Sequence, residues 1–214
     1  MKKILAMLTL TGIVLGAWTG FASTASAATI TNETATNDTP AQGNSTAEFT
    51  IDAGKLTLDK VSDLKFSKDG TNPTIEDFTD DQKLTLDGAK ITDNQASVSD
   101  YRGSHDGWNL AVKMTPFSNG KDTLSGNTLT LTAKSDSSNG VAVETTPPVT
   151  TDVTDNGKDN IFITAAPDKG TFSNIFALGG ELNVPANPSI QAGTYTSTLT
   201  WTLSATAQAQ PAAE

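Results

Sequence analysis

The sequence predicts an all-β fold, an antiparallel β-sandwich with Greek-key-like connections behind a disordered N-terminal leader. Apolar residues recur with period two in short runs. Gly, Pro, Asn and Asp break those runs at close intervals, and no window keeps the i, i+3, i+4, i+7 spacing of an amphipathic helix. Many short antiparallel strands in one domain close most simply as two packed sheets.

Taken in order, AEFTID places Phe49 and Ile51 on one face, and KLTLDKV does the same with Leu56 and Leu58. Lys68-Asp69-Gly70 reads as a turn, because Gly accepts positive φ without a Cβ clash. GWNLAVKM alternates Trp108, Leu110, Val112 and Met114 against Asn109 and Lys113. NTLTLTAK sets Leu129, Leu131 and Ala133 on one face; SDSSNG then reads as a turn into VAV, a hairpin returning through Val141 and Val143. IFITAA and TFSNIFAL, at 161–166 and 171–178, supply further apolar stretches.

The clearest strand comes last. TYTSTLTWTLSATA puts Tyr195, Leu199, Trp201, Leu203 and Ala205 on one face and Thr194, Thr196, Thr198, Thr200 and Thr202 on the other, so one face is buried and one wet. Tyr195 stands where a loop enters the strand, the placement of a tyrosine corner. The pattern assigns Leu110, Val112, Leu129, Leu131, Val143, Ile161, Leu199 and Leu203 to the core.

Before these strands, Lys2 and Lys3 precede the apolar run ILAMLTLTGIVLGAW, and ASTASA follows with small residues. This is the pattern of a secretory signal peptide over residues 1–27, cut between Ala27 and Ala28. The run is shorter than the ~18 residues a membrane span requires, and no second apolar segment follows, so the mature chain is expected to carry no transmembrane span. Residues 28–46, ATITNETATNDTPAQGNST, hold too little apolar surface to offset their ordering entropy and read as a flexible linker. The folded domain is expected over 47–207 and a short tail over 208–214. That tail shows no sorting motif or apolar anchor, so retention at a surface would be noncovalent.

Charge and composition exclude several functions. The chain has 14 Lys and Arg against 24 Asp and Glu, and loss of Lys2 and Lys3 on processing leaves 12 against 24, a net charge of −12. Such a chain is repelled by phosphate backbones, which excludes a nucleic-acid binder built on basic clusters. It holds no Cys, hence no thiol catalyst, disulfide scaffold or thiolate zinc site. Secretion without cysteine points to a Gram-positive envelope rather than an oxidising periplasm.

Candidate catalytic groups are few. Ser104-His105-Asp106 holds the letters of a triad, but three consecutive residues cannot aim at one another as nucleophile, base and orienter. His105, the one histidine, reads instead as a loop residue beside Arg102. Asp152, Asp155 and Asp159 around Gly157 resemble a calcium loop, yet Thr154 and Ile163 stand where ligands should; a solvated hairpin turn is the plainer reading. Glu76, Asp77, Asp80 and Asp81 cluster as in an exposed loop rather than as an acid pair for glycan hydrolysis. The reading is therefore a protein that is not an enzyme, with no cofactor and no bound metal.

Trp108-Asn109-Leu110, inside SVSDYRGSHDGWNLAVKM, and Trp201-Thr202-Leu203, inside AGTYTSTLTWTLSA, lie 93 residues apart. Paired in this way, the first after Asp100-Tyr101-Arg102-Gly103, they resemble the signatures of the WxL-domain surface proteins of Gram-positive bacteria. The likeness extends to KLTLDKVSDLKFS and covers roughly 47–207. It implies a secreted, extracellular protein held noncovalently on the peptidoglycan of the cell wall, acting beside other secreted or membrane-anchored surface proteins; the alternative is an interaction subunit whose primary ligand is such a partner. The expected contact residues are Trp108, Leu110, Trp201 and Leu203. Each Trp is also a natural core residue, and the two indoles together would form a patch shared between core and surface.

Overall fold

The structure, a computed structural model, describes residues 29–32, 34–88 and 94–205. The signal segment, the Ala27–Ala28 cleavage site and the tail over 208–214 lie outside the described residues. The chain divides into two units, Met1–Ile51 and Asp52–Glu214. In the first, β1 (Thr29–Asn32) pairs antiparallel with β2 (Gln42–Asn44), with Thr29 opposite Asn44. Phe49 and Ile51 belong to no strand, and both side chains are exposed. The strand expected at AEFTID is therefore not formed.

The second unit is built of antiparallel strands, with no α-helix among its described residues. Its larger sheet holds β3 (Leu56–Val61), β4 (Phe66–Ser67), β5 (Gln82–Leu86), β6 (Gln95–Asp100), β10 (Thr128–Ser138), β11 (Val149–Thr154) and β13 (Phe172–Val184). The smaller sheet runs in the order β12 (Asn160–Ala165), β7 (Trp108–Met114), β14 (Leu199–Ser204), and β8 (Phe117–Ser118) pairs separately with β9 (Thr123–Leu124). The long strand β13 organises the larger sheet. One edge pairs with β10, while the other pairs with β6 through its first half and with β5 through its second.

Period-two patterning explains the core. On β10, Leu129, Leu131 and Ala133 are fully buried while the intervening threonines are half-exposed. On β7, Trp108, Leu110, Val112 and Met114 are fully buried. These side chains join Phe176, Leu178, Leu182 and Val184 of β13 in a single cluster, so both sheets face one core. Each such burial contributes roughly 1.5–3 kcal/mol.

The Lys68–Thr71 turn forms as expected. Asp69 and Gly70 have φ of 50° and 80°, and Lys68 and Thr71 exchange backbone hydrogen bonds at 2.9 Å, the two-residue hairpin geometry.

Four further expectations are corrected. The strand after NTLTLTAK continues through Ser138 instead of turning at SDSSNG. Its antiparallel partners are β11 and β13, with Leu131 opposite Thr151 and Gly180, and not VAV. Val143 is nevertheless buried, and Val141 is exposed. Ile161 is only half-buried, because β12 carries an irregularity between Ile161 and Ile163 that turns Phe162 and Ile163 inward instead. Leu199 and Leu203 are half-buried, because among the described residues β14 is an edge strand that pairs with β7 alone. Finally, Asp155-Asn156-Gly157 carries the chain from β11 in the larger sheet to β12 in the smaller, so it is a corner between sheets and not a hairpin turn.

Candidate functional site

The two Trp-x-Leu segments lie on adjacent antiparallel strands. Leu203 stands opposite Leu110, and Trp201 opposite Val112. Residues 93 positions apart in sequence are thus brought side by side.

The first motif is anchored from below. The Trp108 indole N–H donates to the Gly170 carbonyl at 3.0 Å, which satisfies the polar edge of a fully buried ring. Its ring meets Phe176 of the larger sheet edge-on, at 6.2 Å between centroids and 75°. Gly170 sits at φ +66°, and a Cβ there would lie 2.6 Å from the indole nitrogen, so only glycine fits against this ring.

The Asp100-Tyr101-Arg102-Gly103 stretch clamps the same end. Arg102 forms a two-pronged ion pair with Asp100, through Nε at 2.9 Å and Nη2 at 2.7 Å. The guanidinium also donates to the Gly107 carbonyl at 2.8 Å and the Ala205 carbonyl at 3.0 Å. One side chain thereby joins the end of β6, the residue before β7 and the residue after β14. The hydrogen bonds between these two side chains hold the Asp100 carboxyl below its ordinary pKa and raise that of Arg102.

The second motif is more open. Trp201 and Leu203 are half-buried, the threonines between and before them exposed, as the alternation requires. Trp201 packs on Phe162 at 6.0 Å and 56°. Each indole therefore has its own phenylalanine, Trp108 in the core and Trp201 at the half-exposed edge.

Entry to β14 is set by Tyr195. Its hydroxyl lies 3.0 Å from both the Gln191 carbonyl and the Asp122 carboxylate, and the bond back to the backbone four residues upstream is the expected tyrosine corner. Desolvation, followed by the neighbouring Asp122, raises the pKa of the phenol. Beside this loop an apolar cleft of about 620 Å³ is lined by Leu64, Phe66, Ile75, Phe78, Phe117 and Tyr195, among others.

The polar candidates are engaged structurally. His105 Nδ1 lies 3.1 Å from Asp168 Oδ1, on the surface. Asp155 accepts from the backbone and side-chain N–H of Asn127 at 3.1 and 2.9 Å, and Asp152 accepts from Thr130 at 2.6 Å, while Asp159 is exposed. Among the described residues, no group of three or more His, Cys, Asp or Glu side chains is placed to hold a metal ion. Asp77 pairs with Lys68 and accepts from Thr74 N–H and hydroxyl at 2.6 and 2.8 Å; the lysine foremost, then Thr74, lowers its pKa to about 2. Asp81 accepts from the Ala186 N–H at 2.8 Å.

Gly170 and the Ala205 carbonyl were not legible as partners of the motifs, since both contacts are long-range. The only signal was Asp168-Lys169-Gly170, which reads as a turn.

No curated protein and no solved structure matches the chain. Residues 22–207 match the family model described as WxL domain surface cell wall-binding. That span contains both Trp-x-Leu strands, the Arg102 clamp that joins them and the tyrosine corner that leads into the second. The chain belongs to the WxL-domain family of surface cell wall-binding proteins.

Proposed function

We propose that this protein is secreted, cut between Ala27 and Ala28, and held noncovalently on peptidoglycan by a WxL domain over 47–207. Residues 28–46 act as a linker and 208–214 as a tail. The observation that carries the reading is the family match over both motifs, which adjoining strands bring together. A binding role is the one the family description carries. Asp77, Asp81, Asp152 and Asp155 each accept a hydrogen bond within the fold.

Of the four motif residues, Trp201 and Leu203 are the ones that touch a ligand in this proposal; Trp108 and Leu110 support them from the core. At −12, the mature chain gains nothing from nonspecific attraction to anionic wall polymers and binds by stacking and hydrogen bonds. A second reading, docking on a partner surface protein, is favoured by β14 being an edge strand with a half-exposed Trp201.

Sedimentation with purified sacculi separates the two. Retention on protein-free sacculi is the expected result. Retention only after a surface-protein fraction is added back supports the second reading, and release of soluble glycan fragments contradicts a purely binding role.

A further inference from the structure

We propose that the side chains of Tyr101 and Phe172 form a platform on which an uncharged, N-acetylated sugar ring of a wall glycan stacks. This deepens the wall-binding reading and rests on it. Tyr101 and Phe172 are 46% and 49% exposed, and Val141, also 46% exposed, hydrogen-bonds through its N–H to Thr171. The two rings meet edge to face at 5.5 Å and 71°. In that arrangement the rings stiffen each other while apolar surface stays open to solvent.

The backbone beneath makes the exposure informative. Phe172 is held at φ +56°, in the left-handed region where a side chain with a Cβ is strained and glycine is at ease. Its conformation is enforced from several sides. Phe172 is paired with Asp100 across the sheet, the buried Asn174 amide donates to the carbonyls of Thr171 and Phe172 at 3.1 and 3.2 Å, and Ser173 N–H donates to Asn139 at 2.8 Å. A large aromatic kept at a strained position and half in water is the pattern of a functional residue rather than of a packing residue. Tyr101 is correspondingly the member of Asp100-Tyr101-Arg102-Gly103 whose side chain the clamp does not use.

The ligand class follows from chemistry. A pyranose ring offers a face of C–H groups that packs on an aromatic ring, and its hydroxyl and acetamide groups need polar partners at the rim. The segments that adjoin the two ring residues in sequence, 102–107 and 166–171, carry such groups in the exposed His105 and Asp168, which are joined at 3.1 Å and also through the Asp168 N–H to the His105 carbonyl at 3.0 Å. The net negative charge of the chain disfavours an anionic polymer and leaves a neutral sugar.

The test uses the mature chain, the trimer of β-1,4-linked N-acetylglucosamine as probe, and cellotriose as the control lacking acetamides. Phe172→Gly removes the ring at a position where glycine relieves strain, so it is expected to melt at or above the parent temperature while binding the trimer at least tenfold more weakly. Tyr101→Ser is the second variant, and Ile75→Gln, in the separate apolar cleft, is expected to bind like the parent. Equal trimer binding by the parent, Phe172→Gly and Tyr101→Ser overturns the platform, as does equal binding of cellotriose by the parent. Sacculi run in parallel keep the two proposals apart. If sacculi retain the parent and both platform variants equally, the platform is wrong and the wall reading stands. If they retain none while the trimer binds only the parent, the wall reading fails and the sugar site stands.

Discussion

Arg102 Nη1 donates to the Ala205 carbonyl at 3.0 Å across 103 positions of sequence, tying the approach to the first Trp-x-Leu strand to the end of the second. The same guanidinium holds Asp100, whose side chain is 6% exposed, so the pair is largely removed from solvent. Lysine cannot reproduce a forked contact with a carboxylate and two further carbonyls. Arg102→Lys is expected to lower stability by about 2 kcal/mol and Arg102→Ala by about 3, since a largely buried carboxylate is then left without its partner. Urea midpoints of the three proteins measure this, and midpoints that coincide would refute the clamp.

Trp108 and Trp201 should respond differently to the same change. Trp108→Phe removes the donor to the buried Gly170 carbonyl and leaves space around the smaller ring, at a cost of roughly 2–4 kcal/mol. Trp201 is half-buried at a sheet edge, and Trp201→Phe should cost about 1 kcal/mol or less. Acrylamide quenching of the single-Trp variants provides a second check. The variant that keeps Trp108 should resist the quencher, and the one that keeps Trp201 should not.

Leu110 and Leu203 face each other across the two strands, yet only Leu110 is fully buried. Leu110→Ala is expected to cost about 3 kcal/mol and Leu203→Ala about half as much, because the edge admits water where the core leaves a cavity. Equal losses in thermal unfolding would place β14 deeper than this structure does.

The acid side of the stability profile follows from Asp77 and Asp100, both lowered from an ordinary value of 3.8, Asp77 to about 2. A carboxyl whose folded pKa is depressed contributes stability above its unfolded pKa and loses it as the pH falls through the folded value. The contribution of Asp77 should therefore be complete above about pH 4 and fade toward pH 2. Lys68→Met should move the Asp77 titration, followed by carboxyl NMR, upward toward 3.8. No movement would contradict the assignment of Lys68 as its foremost cause.

What was legible in the sequence was local. The period-two run from Trp108 to Met114 gave β7 its bounds and its inward face, the Lys68–Thr71 turn followed from Asp-Gly, and Tyr195, standing where a loop enters the last strand, marked a tyrosine corner. The faces of β14 were equally legible, but their depth was not. Alternation says which side points inward and not that the strand lies at an edge. The partners of β10 were misread for a related reason, since Val141 and Val143 look like a returning strand while β11 and β13 reach it from farther along the chain. The inward turn of Phe162 depends on one irregular residue pairing, and the Arg102 clamp and the strain at Phe172 depend on contacts that no spacing rule encodes.

Sedimentation of the purified mature chain with protein-free sacculi, from low salt to ~1 M where the screening length falls to about 3 Å, tests the central claim most directly. An acidic wall-binding domain that holds its ligand by stacking and hydrogen bonds should stay bound throughout, with the bound fraction constant or rising with salt. A protein that remains in the supernatant at every salt concentration, or that is released steadily as salt increases, would contradict the account.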